Sequence, residues 1–301
     1  MENNLMYRVK EEYNKLKLRD YLKHNEGLSG RMIKSAGIEN KIKVNGKVEK
    51  LNYIIKLGDE ISFNISKEES QNIIPESMDL DIIYEDIDLI VLNKGPKMVV
   101  HPTKGHAVGT LANGITYYFR ETNQDCIVRL VSRLDMDTSG LIIIGKNQHA
   151  HMCLSRDMKE NKIIKQYLAL VHGNLENKSG TIDLPIGMDE DDTIHRKVLD
   201  SGKRSITHYE VIESFPKGDL LKLTLETGRT HQIRVHLSHI GHPIFGDSLY
   251  GNEDTDIVSR QMLHAYRLEI YHPKSKEKLE LICELPKDMK NLIKNYLKAD
   301  L

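Results

Sequence analysis

Tryptophan is absent from this chain, and phenylalanine occurs only 4 times in 301 residues. A core large enough for such a chain must therefore lean on Leu, Ile and Val. The 3 cysteines, Cys126, Cys153 and Cys283, are odd in number and far apart. They make neither a disulfide framework nor a metal pattern, which suits a reducing cytosol. Long apolar runs are missing too. The longest are strand-sized, such as Leu141–Ile144, so no membrane span is expected. The opening Met1-Glu2-Asn3-Asn4 lacks the basic and apolar regions of a secretory signal. The expectation is a cytoplasmic protein with no membrane partner. No phosphate-loop or dinucleotide fingerprint occurs, and no Gly-x-Ser-x-Gly elbow, so triphosphate binding and serine hydrolase chemistry have no support.

What is present is unevenly charged. The whole chain carries a net charge of −1, yet residues 1–66 hold 13 Lys/Arg against 9 Asp/Glu. Residues 67–92 hold one lysine against 8 acids. A basic N-terminal module joined through an acidic segment fits a polyanionic partner, although a solvated surface would show the same charges.

Residues 14–28 read as a helix carrying Leu16, Tyr21 and Leu22. A second short helix is predicted from Ser29, with Met32 and Ile33 on its apolar side. Ile42–Val48 reads as strand, Asn-Gly turn, strand, and Leu57–Phe63 as a further turn and strand. Residues 67–78 are polar, include Pro75 and read as a linker. Beyond it, strands are predicted at 82–86, 89–92, 99–102, 141–145, 167–172, 206–213, 220–226 and 264–272. Helices are predicted near 109–120, 147–159 and 287–299. In the last of these, Met289, Leu292, Ile293, Tyr296 and Leu297 form a packing stripe. The sum is an α+β chain.

Four segments carry chemistry. Asn93–Pro102 is a Lys, Gly and Pro loop after a strand. Val131–Gly145 places Arg133-Leu134-Asp135 before the small-residue turn Thr138-Ser139-Gly140. A carboxylate at such a turn can be held rigidly and still face a cleft; it is either an ordinary turn residue or a working group. Lys165–Val171 alternates like a strand, with Tyr167 opposite Leu168. Read alone, Tyr167 is a half-buried strand aromatic. Thr227–Gly251 contains His231, His236, His239 and His242. Their spacing does not fit a zinc site, so polar lining or hydrogen-bonded structural histidines are expected, and no metal.

These segments, in this order, resemble the RluA/RluD-type family of RNA pseudouridine synthases over residues 79–290. Leu18–Leu22, Val44-Asn45-Gly46 and Gly58–Ile61 resemble the S4-like RNA-binding domain. The resemblance implies a pseudouridine-synthase fold with a mixed, largely antiparallel central sheet spanning residues 79–301. A small S4-like α/β domain at 1–66 and a linker at 67–78 would precede it. It implies that Asp135 is the one essential aspartate. Tyr167 would pack on the target base, and Arg229 would pair with the catalytic carboxylate. Arg133 would help occupy the space left by the flipped base, and Ile233 would form an apolar wall. Arg19, Lys23, Arg31, Lys34, Lys43 and Lys47 are the expected RNA contacts of the N-terminal domain. Two positions depart from the family pattern: Ser132 stands where His is common, and Gly95 precedes Pro96 where Pro usually follows Asn-Lys directly.

Pseudouridine formation breaks the N-glycosidic bond, turns the uracil and rejoins it through carbon 5. No net redox or hydrolysis occurs, so no cofactor is expected. The carboxylate must be ionised, and a nearby guanidinium keeps it so against desolvation. Whether Asp135 attacks the base, attacks the sugar or deprotonates the sugar stays open. The expected partner is RNA, with large-subunit ribosomal RNA ahead of transfer RNA; DNA is not expected, and the chain is read as a monomer. A non-catalytic RNA-binding or ribosome-assembly factor is the alternative, and the presence together of Asp135, Tyr167 and Arg229 argues against it.

Overall fold

The structure is a computed structural model, described here for residues 4–65, 71–189, 194–251 and 257–298. Near the N-terminus, strands β1 (Asn4–Arg8), β2 (Ile42–Val44), β3 (Lys47–Val48) and β4 (Glu60–Asn64) form an antiparallel sheet in the order β1-β4-β2-β3. Helices α1 (Leu18–His24) and α2 (Gly30–Ile38) cover it. Leu18, Tyr21, Leu22, Met32, Ile33, Ile61 and Phe63 share its core. Ser29 caps α2 as expected, its Oγ accepting from the Met32 N–H at 3.2 Å. Asn45 and Gly46 both take positive φ, the condition for a tight hairpin. The first helix is shorter than the predicted 14–28. Lys15 sits at φ 68, and residues 15–18 bond instead to the backbone of residues 53–55. Residues 67–70 of the expected linker lie outside the described residues. Residues 71–78 carry no helix or strand, and Gln71 exchanges two hydrogen bonds with Val128.

The larger part adds strands β5 (Ile82–Glu85), β6 (Leu89–Lys94), β7 (Arg129–Leu130), β8 (Ser139–Gly145), β9 (Ile164–His172), β10 (Ser179–Asp183), β11 (Ile186–Met188), β12 (Arg196–Val198), β13 (Ile206–Phe215), β14 (Gly218–Leu225), β15 (Leu263–Tyr271) and β16 (Lys278–Ile282). Its helices are α3 (Leu111–Glu121), α4 (Gln148–Lys159), α5 (Gln232–His239) and α6 (Lys287–Leu292), the last continuing as a wider turn to Leu297. The main sheet runs β10-β13-β14-β9-β15-β8-β6-β5, with β7 on β8 and β16 on β15; β11 and β12 pair separately. Every pairing in the main sheet is antiparallel except β15 with β8. The α+β class and the mixed, largely antiparallel sheet are as expected.

β6 and β8 read as unbroken apolar runs because both of their faces are covered. Ile90, Leu92, Ile142 and Ile144 pack with Leu111, Ile115 and Phe119 of α3. Leu89, Val91, Leu141 and Ile143 pack on the other side with Leu154 of α4. Met152 of the same α4 also packs against the N-terminal core. The parallel junction depends on Gly140, at φ 112, where a Cβ would collide with the backbone of Ala265. The small-residue turn therefore sets how closely β8 approaches β15, and the aspartate loop sits at this junction. The predicted strand at 99–102 does not form. There the carbonyls of Val99 and Val100 accept from the Leu111 and Ala112 N–H groups, completing the start of α3 instead of a sheet ladder. The C-terminal stripe packs as predicted, with Met289, Leu292 and Leu297 in the core beside β9 and β14.

Candidate active site

A cleft of about 1030 Å³ opens where the loop before β8, strand β9 and the segment entering α5 meet. That exceeds a single drug-sized pocket and leaves room for a nucleotide and its neighbours. Asp135 lies in its wall, with a side chain 28% exposed.

The backbone around Asp135 is pinned from several directions. Thr138 N–H donates to the Asp135 carbonyl. The next carbonyl, of Met136, accepts from Lys94 Nζ at 2.8 Å and from Met98 N–H at 3.2 Å. The Asp137 carbonyl accepts from Arg260 Nη1 at 3.0 Å. Lys94 is itself buried and spends its other two protons on the carbonyls of Gly95 and Met98. Burial pushes its pKa down to about 7, opposed chiefly by the charge of Asp137. The Asn93–Pro102 loop thus serves as a clamp on the aspartate loop, with the Gly95 carbonyl as one of its contacts.

The ion pair at the site is with Arg234. Its Nη1 lies 3.2 Å from Asp135 Oδ2. Its Nε and Nη2 form a bidentate fork on Asp247, each at 2.7 Å. Asp247 is fully buried and also accepts from the N–H groups of Leu249 and Tyr250. Arg234 is 5% exposed and lies over the Tyr250 ring. One guanidinium is therefore locked by an interior carboxylate and offers its remaining edge to the cleft carboxylate. This corrects the expectation for Arg229. Arg229 is exposed at the cleft mouth, and its Nε donates to the Arg204 carbonyl at 3.3 Å. The helix carrying Arg234 was not read from the sequence. An arginine between Ile233 and Val235 was the available signal, since a cation among apolar neighbours must be paired.

Helix α5 begins abruptly. His231 takes a left-handed turn at φ 58, and Gln232 stitches the entering loop to β13. Gln232 accepts from Thr227 Oγ1 and Arg229 N–H, and donates to the Ile206 carbonyl and Thr207 Oγ1. His231 Nδ1 meets the Tyr250 hydroxyl at 2.8 Å, and that oxygen already accepts from Arg196 N–H. We assign the phenolic proton to Nδ1, which leaves the imidazole proton on Nε2, 3.9 Å from Asp135 Oδ2. Burial holds the His231 pKa below its ordinary value, so the ring faces Asp135 uncharged at neutral pH.

The other expected site residues fall as follows. Tyr167 is 8% exposed and lines the cleft. Burial first, and then the Asp135 charge, raise its phenol pKa, so the ring stays protonated through the physiological range. Ile233 is buried, joins the main core and forms part of the cleft wall. Arg133 is exposed at the rim, and Ser132 lines the same cleft. Arg19, Lys23, Arg31, Lys34, Lys43 and Lys47 are all exposed on the N-terminal unit, outside the cleft lining. His236 bonds Thr207 Oγ1 and the Leu184 carbonyl, whereas His242 bonds the His172 carbonyl. These rings have separate structural partners.

One cluster elsewhere, Asp86, Asp88 and His272, has the composition of a metal centre. Its hydrogen bonds give the ring another task. His272 Nδ1 accepts from the N–H groups of Lys274 and Ser275, which puts the ring proton on Nε2, donated to Asp86 Oδ2 at 2.8 Å. Metal-binding histidines present the opposite arrangement.

Two further buried histidines predict how stability depends on pH. Burial lowers both His149 and His264 to about 4. The unfolded chain takes up these protons near pH 6.5 and the folded chain does not, so acid favours unfolding across that window. Each ring costs about 1.4 kcal/mol per pH unit below 6.5. Denaturant unfolding at pH 7.5 and pH 5 should therefore differ by roughly 3–4 kcal/mol. Equal stabilities would show that these rings titrate normally.

Comparison with known proteins decides the family. A model of the RNA pseudouridylate synthase family matches residues 88–239. The ribosomal large subunit pseudouridine synthase D of Yersinia pestis is 38% identical over 282 residues, covering 89% of this chain and 86% of that one. The chain belongs to the RNA pseudouridine synthase family. A Bacillus subtilis relative named as an uncharacterized RNA pseudouridine synthase, YlyB, is 41% identical over 263 residues, covering 86% and 87%. Among solved structures, human RNA pseudouridylate synthase domain containing 1 superposes with a TM-score of 0.59 at 30% identity, covering 68% of this chain and 83% of that one. The synthase accordingly takes RNA as its substrate. No helix among the described residues is long and apolar enough to cross a membrane.

Proposed function

We propose that this synthase isomerises specific uridines in large-subunit ribosomal RNA, with Asp135 as the essential group, acting as a cytoplasmic monomer. The observation that carries the target class is the similarity to ribosomal large subunit pseudouridine synthase D, which extends over nearly nine-tenths of the chain. The placement of Asp135 beside a doubly anchored Arg234 supports its role, because the guanidinium favours the ionised carboxylate that the reaction needs. In this reading the target uridine leaves its stack at a cost of a few kcal/mol. Stacking on Tyr167 returns about 1–3 kcal/mol of that. Arg133 at the rim occupies the vacated space in the RNA, Ile233 walls the pocket, and Arg229 contacts substrate at the mouth. The uracil detaches from C1′, turns, and rejoins through C5; the C5 proton is lost and N1 gains one.

Residues 1–66 act in this scheme as an S4-like RNA-binding domain, joined by 67–78 to a catalytic domain at 79–301. Arg19, Lys23, Arg31, Lys34, Lys43 and Lys47 bind its phosphates. Deleting 1–66 should weaken RNA binding and flatten its salt dependence, by about 0.7–0.9 in log–log slope for each phosphate no longer neutralised. Binding isotherms from 50 to 200 mM salt check this; an unchanged slope removes the module from RNA binding. The target class is tested with RNA labelled with [5-³H]uridine in cells lacking the gene, then separated into ribosomal and transfer fractions. Tritium should leave the large-subunit ribosomal fraction. Release from transfer RNA alone would overturn the ribosomal target.

A further inference from the structure

Strand β9 puts two side chains into the cleft. Lys165 and Tyr167, two residues apart, both line it. Gln166 between them points to the other face, where it bonds Thr224, Tyr266 and Arg267. The pairing of β9 with β15 runs through this stretch, with its one irregularity between Ala265 and Arg267 of β15 and none in β9, so the alternation is regular. Lys165 and Tyr167 therefore stand about 6.6 Å apart along one face, comparable with the reach from a base to its own phosphate.

The Lys165 ammonium is uncommitted. Among the described residues it has no carboxylate or carbonyl partner, whereas Arg234 is spent on Asp247 and Asp135. Lys165 lies over the backbone of Gly228, where an added Cβ would sit 3.7 Å from Nζ. It is partly buried in the cleft wall, and desolvation alone lowers its pKa. An ammonium half out of water without a counter-ion is costly unless the ligand brings one. The anionic group of an RNA substrate is its phosphodiester.

We propose that Lys165 is a substrate-binding residue that holds the phosphate of the flipped uridine while Tyr167 stacks on its base. The inference rests on the reading of Tyr167 as the base platform. It adds a specific electrostatic anchor inside the cleft, separate from the basic surface of the N-terminal unit.

The test compares wild type, Lys165→Met and Lys165→Arg on total RNA labelled with [5-³H]uridine in cells lacking the gene. This probe contains the substrate whichever RNA class is the target, so a wrong ribosomal assignment shows only as release from another fraction. Lys165→Met should raise the half-saturating RNA concentration about tenfold with kcat within twofold. The salt slope of kcat/KM should fall by about 0.7–0.9, the value for one phosphate. Lys165→Arg should restore most of both. A fall in kcat with the salt slope intact would place the ammonium on the uracil instead of the phosphate. An unchanged variant would make it a solvated lysine. Either result overturns the proposal.

Discussion

Asp135→Asn should abolish pseudouridine formation, a loss on the order of 10⁴-fold or more, while RNA affinity stays within a few-fold of wild type. The replacement keeps size and shape but removes the charge, and with it any role as nucleophile or base. The fold should survive, because Arg234 keeps its bidentate contact with Asp247 and the aspartate loop is held through its backbone by Lys94, Met98 and Arg260. Affinity should not suffer, since removing a negative charge from a cleft that receives a polyanion costs nothing in phosphate binding. Tritium release and filter binding on the same RNA check both halves. Retained activity would remove Asp135 from the mechanism; lost binding with lost activity would make it a substrate anchor instead.

Arg234→Met should damage both stability and activity. It strips the fully buried Asp247 of its counter-ion, leaving the backbone N–H groups of Leu249 and Tyr250. Breaking a buried pair from one side costs roughly 3–5 kcal/mol. The same change frees Asp135 from its guanidinium neighbour at 3.2 Å, so its ionised form loses support. Arg234→Lys keeps a charge but not the fork, and should fall between. Arg229→Met serves as the comparison. That residue is exposed and its side chain donates to a carbonyl, while its backbone contacts with Gln232 survive the change, so stability should move by about 0.5 kcal/mol or less. Denaturant unfolding of the three variants ranks them. Equal stability of Arg234→Met and Arg229→Met would show that the Arg234–Asp247 pair is not the anchor described here.

The contrast between these two arginines marks where the sequence stopped being readable. β6 and β8 were legible because burial on both faces makes an apolar run with no alternation to misread. Ser29 and Asn45-Gly46 were legible because their roles are local, resting on a cap and a turn within a few residues. Helix α5 was not. Its buried residues include Gln232, Arg234 and His236, each with hydrogen-bond partners distant in sequence, so the apolar stripe that announces a helix is interrupted by buried polar groups. Lys94 was hidden for a related reason. Its burial depends on a loop folding over it and on the Met136 carbonyl 42 residues away. The segment 99–102 has strand-like residues, yet the Val99 and Val100 carbonyls complete a helix that begins at Leu111. β10 carries Ile182 as its one large apolar residue, and β11 and β12 span 3 residues each, too little sequence for an alternation to be read. Asp135 and Tyr167 were singled out through the resemblance their motifs carry, and the structure places both in one cleft; the contact of Asp135 with Arg234 became visible only with the helix in place.

The most direct test of the central claim is a transcriptome-wide pseudouridine map in a strain lacking this gene, complemented with wild type or with Asp135→Asn. The expected map loses specific large-subunit ribosomal RNA sites, and only wild type restores them. A map in which Asp135→Asn restores those sites as well as wild type does would contradict the assignment of Asp135 as the essential group.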